Sequence, residues 1–101
     1  MKTKKEMLVY AQAAKMLRSV AHPTRIEIIE LLVKAGSLTV NEIKSQLETT
    51  QSMTSQHLGV LKNAGIVNCD KEANTCHYYI CNKHVLKLLE CVDRCARTQV
   101  Q

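Results

Sequence analysis

Apolar residues fall at helical spacing over most of this chain. From Glu6 to Val20, Met7, Tyr10, Ala11, Ala14 and Leu17, flanked by Ala13 and Met16, predict a first helix. Pro23 pre-sets the backbone for the first turn of a second helix, which runs through Ile26, Ile29, Leu32 and Val33 to Lys34 or Ala35 and closes at Gly36. Thr39, followed three positions later by Glu42, forms a capping box that opens a third helix through Ile43 and Leu47. After Gly65 the pattern changes. Ile66 to Cys69 and Cys76 to Cys81 favour strands, and Asp70 to Thr75 supply a polar turn, which together predict a hairpin. Asn82 caps a last helix whose Val85, Leu88, Leu89 and Val92 form an apolar stripe. That stripe and the first helix are expected to pack together and against their copies in a second subunit.

The stretch Thr49 to Val67 carries the most chemistry. Glu48 to Thr50 make a polar turn too short to let the third and fourth helices run alongside each other, so they must cross steeply. The fourth helix opens with Gln51, Ser52, Ser55 and Gln56, short uncharged side chains that donate and accept hydrogen bonds and can meet base edges. Ser52 is equally suited to capping the helix. Met53, Leu58 and Leu61 are expected to turn into a core, and Gly65 to give a left-handed stop. His57, on the flank of the apolar face, suits a packed, hydrogen-bonded or phosphate-facing position. Lys62 and Lys71 are the expected phosphate contacts.

A chain of 101 residues predicts a single domain, 1–101, whose core without Trp or Phe is aliphatic. The net charge of +5 favours encounter with polyanions. The lysines at 2, 4 and 5 are not followed by an apolar run that would make a signal peptide or membrane span, so a cytoplasmic protein with reduced thiols is expected. An odd count of five cysteines argues against a disulfide framework. His22, His77 and His84 lack acidic or serine partners at catalytic spacing, and no glycine-rich phosphate loop is present, so an enzyme is not expected.

The predicted fold is mainly α with a small β-hairpin: a winged helix-turn-helix in the order ααααββα, with residues 1–20 and 82–101 as dimerisation helices. Ala21-His22-Pro23-Thr24-Arg25-Ile26, Ser55-Gln56-His57-Leu58 with Val60-Leu61, Ala64-Gly65-Ile66-Val67 and Tyr78 resemble the ArsR/SmtB family of bacterial repressors, from about Lys15 to Leu89. The resemblance implies a homodimer that holds an operator, represses its own operon and lets go when an inducer binds. Two reading helices related by a twofold axis would call for an imperfect palindrome of double-stranded DNA with half-sites about one turn apart. The competing reading is a winged-helix protein-protein interaction module without a specific operator.

The chain departs from that family where inducers are sensed. Thr39-Val40-Asn41 stands in place of the Cys-Val-Cys of arsenic and cadmium sensors. Asn82, His84, Cys95 and Thr98 stand at the zinc-sensor positions, and two of them are poor ligands. The second helix has no thiol for a persulfide or oxidant sensor. Cys91 and Cys95, one helical turn apart, are the remaining thiol-sensor candidates and could share a thiophilic metal ion with a third ligand. Cys69 and Cys76 would face each other if a two-residue turn sat at Glu72 and Ala73, and a one-residue shift would separate them. The wing lacks the usual glycine and arginines, so a weaker grip on DNA and a looser turn, with Asn74 left-handed, are expected.

Overall fold

The computed structural model describes residues 1–100. Its elements are α1 (Lys4–Val20), α2 (Pro23–Ala35), α3 (Val40–Gln46), α4 (Gln51–Asn63), β1 (Val67–Glu72), β2 (Thr75–Ile80) and α5 (His84–Val100). Each start has a local cause. The Thr3 hydroxyl accepts from the Glu6 amide and begins α1 two residues earlier than apolar spacing alone indicates. The capping box of Thr39 and Glu42 is formed in both directions at the head of α3, and its two hydrogen bonds to Thr39 hold the Glu42 carboxyl below the usual carboxylate range. The Asn82 side chain accepts from the His84 amide and starts α5. At the end of α4, Ile66 and Gly65 donate back to the carbonyls of Leu61 and Lys62, a Schellman motif that needs the positive φ of 80° at Gly65.

The core is aliphatic. Ile28, Ile29 and Leu32 of α2, Ile43 of α3 and Leu58 and Leu61 of α4 close over Leu38, Ile66 and Val67, and Val85 joins from the base of α5. Burying each such side chain contributes about 1.5–3 kcal/mol. The hairpin extends further than strand propensity indicated and its turn is tight rather than loose, because Ala73 as well as Asn74 takes positive φ, 49° and 67°, in a two-residue turn. Leu38 exchanges two backbone hydrogen bonds with Tyr78, which ties the second strand to the segment before α3.

Four expectations need correction. In α2 the inward residue is Ile28, fully buried, while Ile26 and Val33 lie exposed because the helix is covered on one side only. Met53 is 43% exposed, and Thr54 takes the inward position, its hydroxyl donating to the Thr50 carbonyl. Thr50, one residue before the helix, caps α4 through the Met53 amide, so Ser52 is left to the surface. The first helix packs mainly on α2 and α4 rather than on α5. As a result Met7, Leu8, Val9, Tyr10 and Leu17 of α1 and Leu88 and Val92 of α5 remain exposed. The molecule is flat, 49 × 40 × 21 Å along its principal axes, and the radius of gyration of 14.9 Å exceeds the roughly 13 Å of a compact 100-residue domain. No helix among the described residues is long and apolar enough to cross a membrane.

Candidate nucleic-acid interface

Residues on α4 advance by about 100° each, which separates the helix into an inward and an outward face. Thr54, His57, Leu58 and Leu61 turn inward and are buried. Ser52, Ser55, Gln56, Gly59 and Asn63 form an exposed stripe opposite them, with Gln51 and Lys62 at its edge nearer the hairpin. The stripe is uncharged, and among the described residues its members are all exposed. Its leading end carries the partial positive charge of a helix N-terminus. The preceding bend is tight, with the Thr49 amide donating to the Leu47 carbonyl at 2.8 Å, and α4 packs against α3 directly after it.

His57 does not belong to that stripe. Its side chain is buried, and its Nδ1 accepts from Arg25 Nε at 3.1 Å, which turns that edge of the ring toward α2. Burial holds its pKa below the ordinary histidine value, with the nearby His22 and Arg25 charges acting in the same direction. The His22 ring lies 4.7 Å from it, and His22 Nδ1 accepts from the Thr24 amide to cap α2. Arg25 reaches on to the Ser19 carbonyl at 3.3 Å. This cluster fastens the α1–α2 corner to the back of the outward-facing helix.

Cations stand on both sides of the stripe. Toward the hairpin, Lys62 Nζ lies 3.6 Å from Cys69 Sγ, and Lys71 is exposed on β1. On the other side Lys15, Arg18 and Arg25 line a cleft of about 260 Å³ with Ser19, Val60, Asn63 and Ala64. That basic cleft was missed from sequence, although Lys15 and Arg18 are three apart on α1 and hence on one face. The hairpin tip carries Glu72 with Asp70 behind it, both exposed, and no arginine.

The thiols divide into two groups. Cys91 and Cys95 are exposed on α5 one turn apart, with Cys95 Sγ 4.0 Å from Gln99 Nε2. Cys69 and Cys76 are half-buried free thiols. Cys69 pairs with Tyr78, and Cys76 with Lys71, which is the register that keeps the two thiols from facing each other directly. Burial raises the Tyr78 hydroxyl pKa, and the adjacent Cys69 and Cys76 add to the effect. Among the described residues no three His, Cys, Asp or Glu side chains gather to hold a metal.

Comparison with known proteins agrees with this geometry. Residues 22–68 match the family described as bacterial regulatory protein, arsR family. An uncharacterized HTH-type transcriptional regulator of Methanocaldococcus jannaschii is 38% identical over 84 residues, 83% of this chain and 94% of that protein. The transcriptional activator HlyU of Vibrio cholerae is 37% identical, over 83% of this chain and 77% of its own length. The structure of reduced HlyU superimposes with a TM-score of 0.75, covering 91% of this chain and 96% of that one at 34% identity. A homodimeric winged helix-turn-helix DNA-binding domain of Mycobacterium bovis shares the fold, with a TM-score of 0.85 at 22% identity and 98% and 91% of the two chains covered. The chain belongs to the arsR family of bacterial regulatory proteins and is a transcriptional regulator with a winged helix-turn-helix, not an enzyme.

Proposed function

We propose that two copies of this chain, joined through α1 and α5, bind a palindromic operator as a repressor in the cytoplasm. The single observation behind this reading is the exposed, uncharged stripe of α4, which displays Gln51, Ser52, Ser55 and Gln56 beyond the core. In the major groove these amides and hydroxyls meet base edges, and Lys62 and Lys71 on one side and Lys15 and Arg18 on the other meet phosphates. Dimerisation covers the apolar residues of α1 and α5, among them Leu8 at 64% exposure. An operator overlapping the promoter gives repression. The Vibrio relative is named an activator, and an operator upstream of the promoter would give that sign instead.

A thiophilic metal or thiol-reactive signal releases the duplex in this reading, and the exposed pair Cys91 and Cys95 is one site for it. Operator release by such reagents, compared between the wild type and a Cys91→Ser/Cys95→Ser variant, tests that pair. Unchanged release removes it from the mechanism. The operator itself is tested by selecting bound sequences from random duplexes. A twofold-symmetric motif with half-sites about one turn apart supports the proposal. Selection of no motif, with protein partners captured through α4, would favour an interaction module.

A further inference from the structure

The hairpin brings two thiols into a relation that excludes one kind of bond and suits another. Tyr78 spends both its backbone groups on Leu38, so its pairing with Cys69 is a non-hydrogen-bonded one. Directly opposed residues share a face, and Lys71 opposes Cys76, so Cys69, Lys71, Cys76 and Tyr78 all lie on one side of the ribbon. On that side Cys69 and Cys76 are diagonal neighbours, and the right-handed twist of a two-stranded ribbon draws this diagonal together. Diagonal Cβ atoms sit roughly 6–7 Å apart. A disulfide needs about 3.5–4.5 Å and is out of reach without a register slip.

A linear two-coordinate ion fits that gap. With metal–sulfur bonds of roughly 2.3 Å, the length zinc makes, its two sulfurs stand roughly 4.6 Å apart, which side chains on such a diagonal can meet. Tetrahedral zinc would require further ligands, and none gathers among the described residues. Soft thiolates favour copper(I) among the biological cations. Two thiolates on a monovalent ion leave one negative charge, and Lys62 Nζ already stands 3.6 Å from Cys69 Sγ to balance it. Cys91 and Cys95 are both exposed, whereas Cys69 and Cys76 are half-buried.

We propose that Cys69 and Cys76 form a two-coordinate site for a monovalent soft cation of the copper(I) class at the root of the wing, with Lys62 as its charge partner. Binding releases two thiol protons to solvent and transfers no electrons. The regulatory consequence rests on the operator reading, because the complex holds Lys62 away from a phosphate. The site itself does not, and it is tested without DNA.

The test is anaerobic titration of the whole chain with copper(I) against a chromogenic copper(I) chelator, followed by alkylation of the remaining thiols and mass mapping. One ion per chain is expected, protecting Cys69 and Cys76 and leaving Cys81, Cys91 and Cys95 reactive. Outer-shell changes at metal sites weaken binding by about 10- to 100-fold, so Cys69→Ser or Cys76→Ser should weaken it by more than about tenfold, and Lys62→Gln by about tenfold. Cys81→Ser should leave it unchanged. Protection of Cys91 and Cys95 instead, or uniform protection of all five thiols, would overturn the proposal, and both are read on the wild type whatever the variants do to folding. Copper held without any change in operator affinity would contradict only the regulatory consequence.

Discussion

Replacing Ala73 by glycine should make the protein more stable. Ala73 sits in the left-handed region with φ of 49°, next to Asn74 at 67°. For an L-residue with a Cβ this conformation costs roughly 1–2 kcal/mol. Glycine removes that strain and loses about 0.4–1 kcal/mol by widening the unfolded ensemble. The net gain is about 0.5–1 kcal/mol, or a rise in midpoint of several degrees in a domain this size. Gly65→Ala is the mirror experiment. It has φ of 80°, and a Cβ there meets nothing within 4 Å, so its loss of about 1 kcal/mol is purely conformational. Urea unfolding at fixed protein concentration measures both. A destabilised Ala73→Gly variant, or two variants moving in the same direction, would refute the turn assignment and with it the register that separates Cys69 from Cys76.

Other perturbations address the interface. Gln56→Ala should lower discrimination between the operator and unrelated duplex by about 1–3 kcal/mol with little change in nonspecific binding, and equal losses on both would mean that it touches backbone only. Lys62→Ala should weaken binding to all sequences and reduce the salt slope by about 1, read from titrations at several salt concentrations; an unaltered slope removes it from the phosphate contacts. The folded state holds the His57 pKa below the ordinary histidine value of about 6.5. Stability should therefore be full above about pH 6.5 and fall as the pH drops toward the lower folded value, because the unfolded chain takes up the proton first. His57→Asn, which keeps an acceptor for Arg25, should lose that decline in denaturant titrations between pH 7.5 and 5.5, and parallel curves would contradict the assignment. Val92 is 50% exposed on α5, and Val92→Glu should yield monomers by sedimentation with much weaker operator binding; an intact dimer would place the seam elsewhere.

Much of the fold was legible because local chemistry dictates it. Pro23, the Thr39–Glu42 box, Gly65 and Asn82 mark helix ends through hydrogen bonds within a few residues, and each acts as its sequence implies. The outward face of α4 was legible for the same reason, since polar side chains at helical spacing leave an apolar face to be buried. Non-local choices were not. Whether Met53 or Thr54 turns inward depends on how α4 tilts against α3, and the Thr54 hydroxyl is satisfied by the Thr50 carbonyl, which makes its burial tolerable. The hairpin register turned on one residue, because without glycine in Asp70 to Thr75 it is Asn74 that favours a left-handed backbone, and Ala73 beside it gives no such signal. The His57–Arg25 contact spans 32 positions and the Lys15–Arg18–Arg25 cleft joins three elements, so neither leaves a local signal.

Amide chemical-shift mapping on the selected duplex tests the central claim most directly. The expected result is perturbation along Ser52, Ser55, Gln56, Gly59 and Asn63, with weaker changes at Lys71 and across Lys15 and Arg18, and none at Leu8 or Val92. Shifts confined to α1 and α5, with α4 unmoved by a duplex that binds, would contradict it.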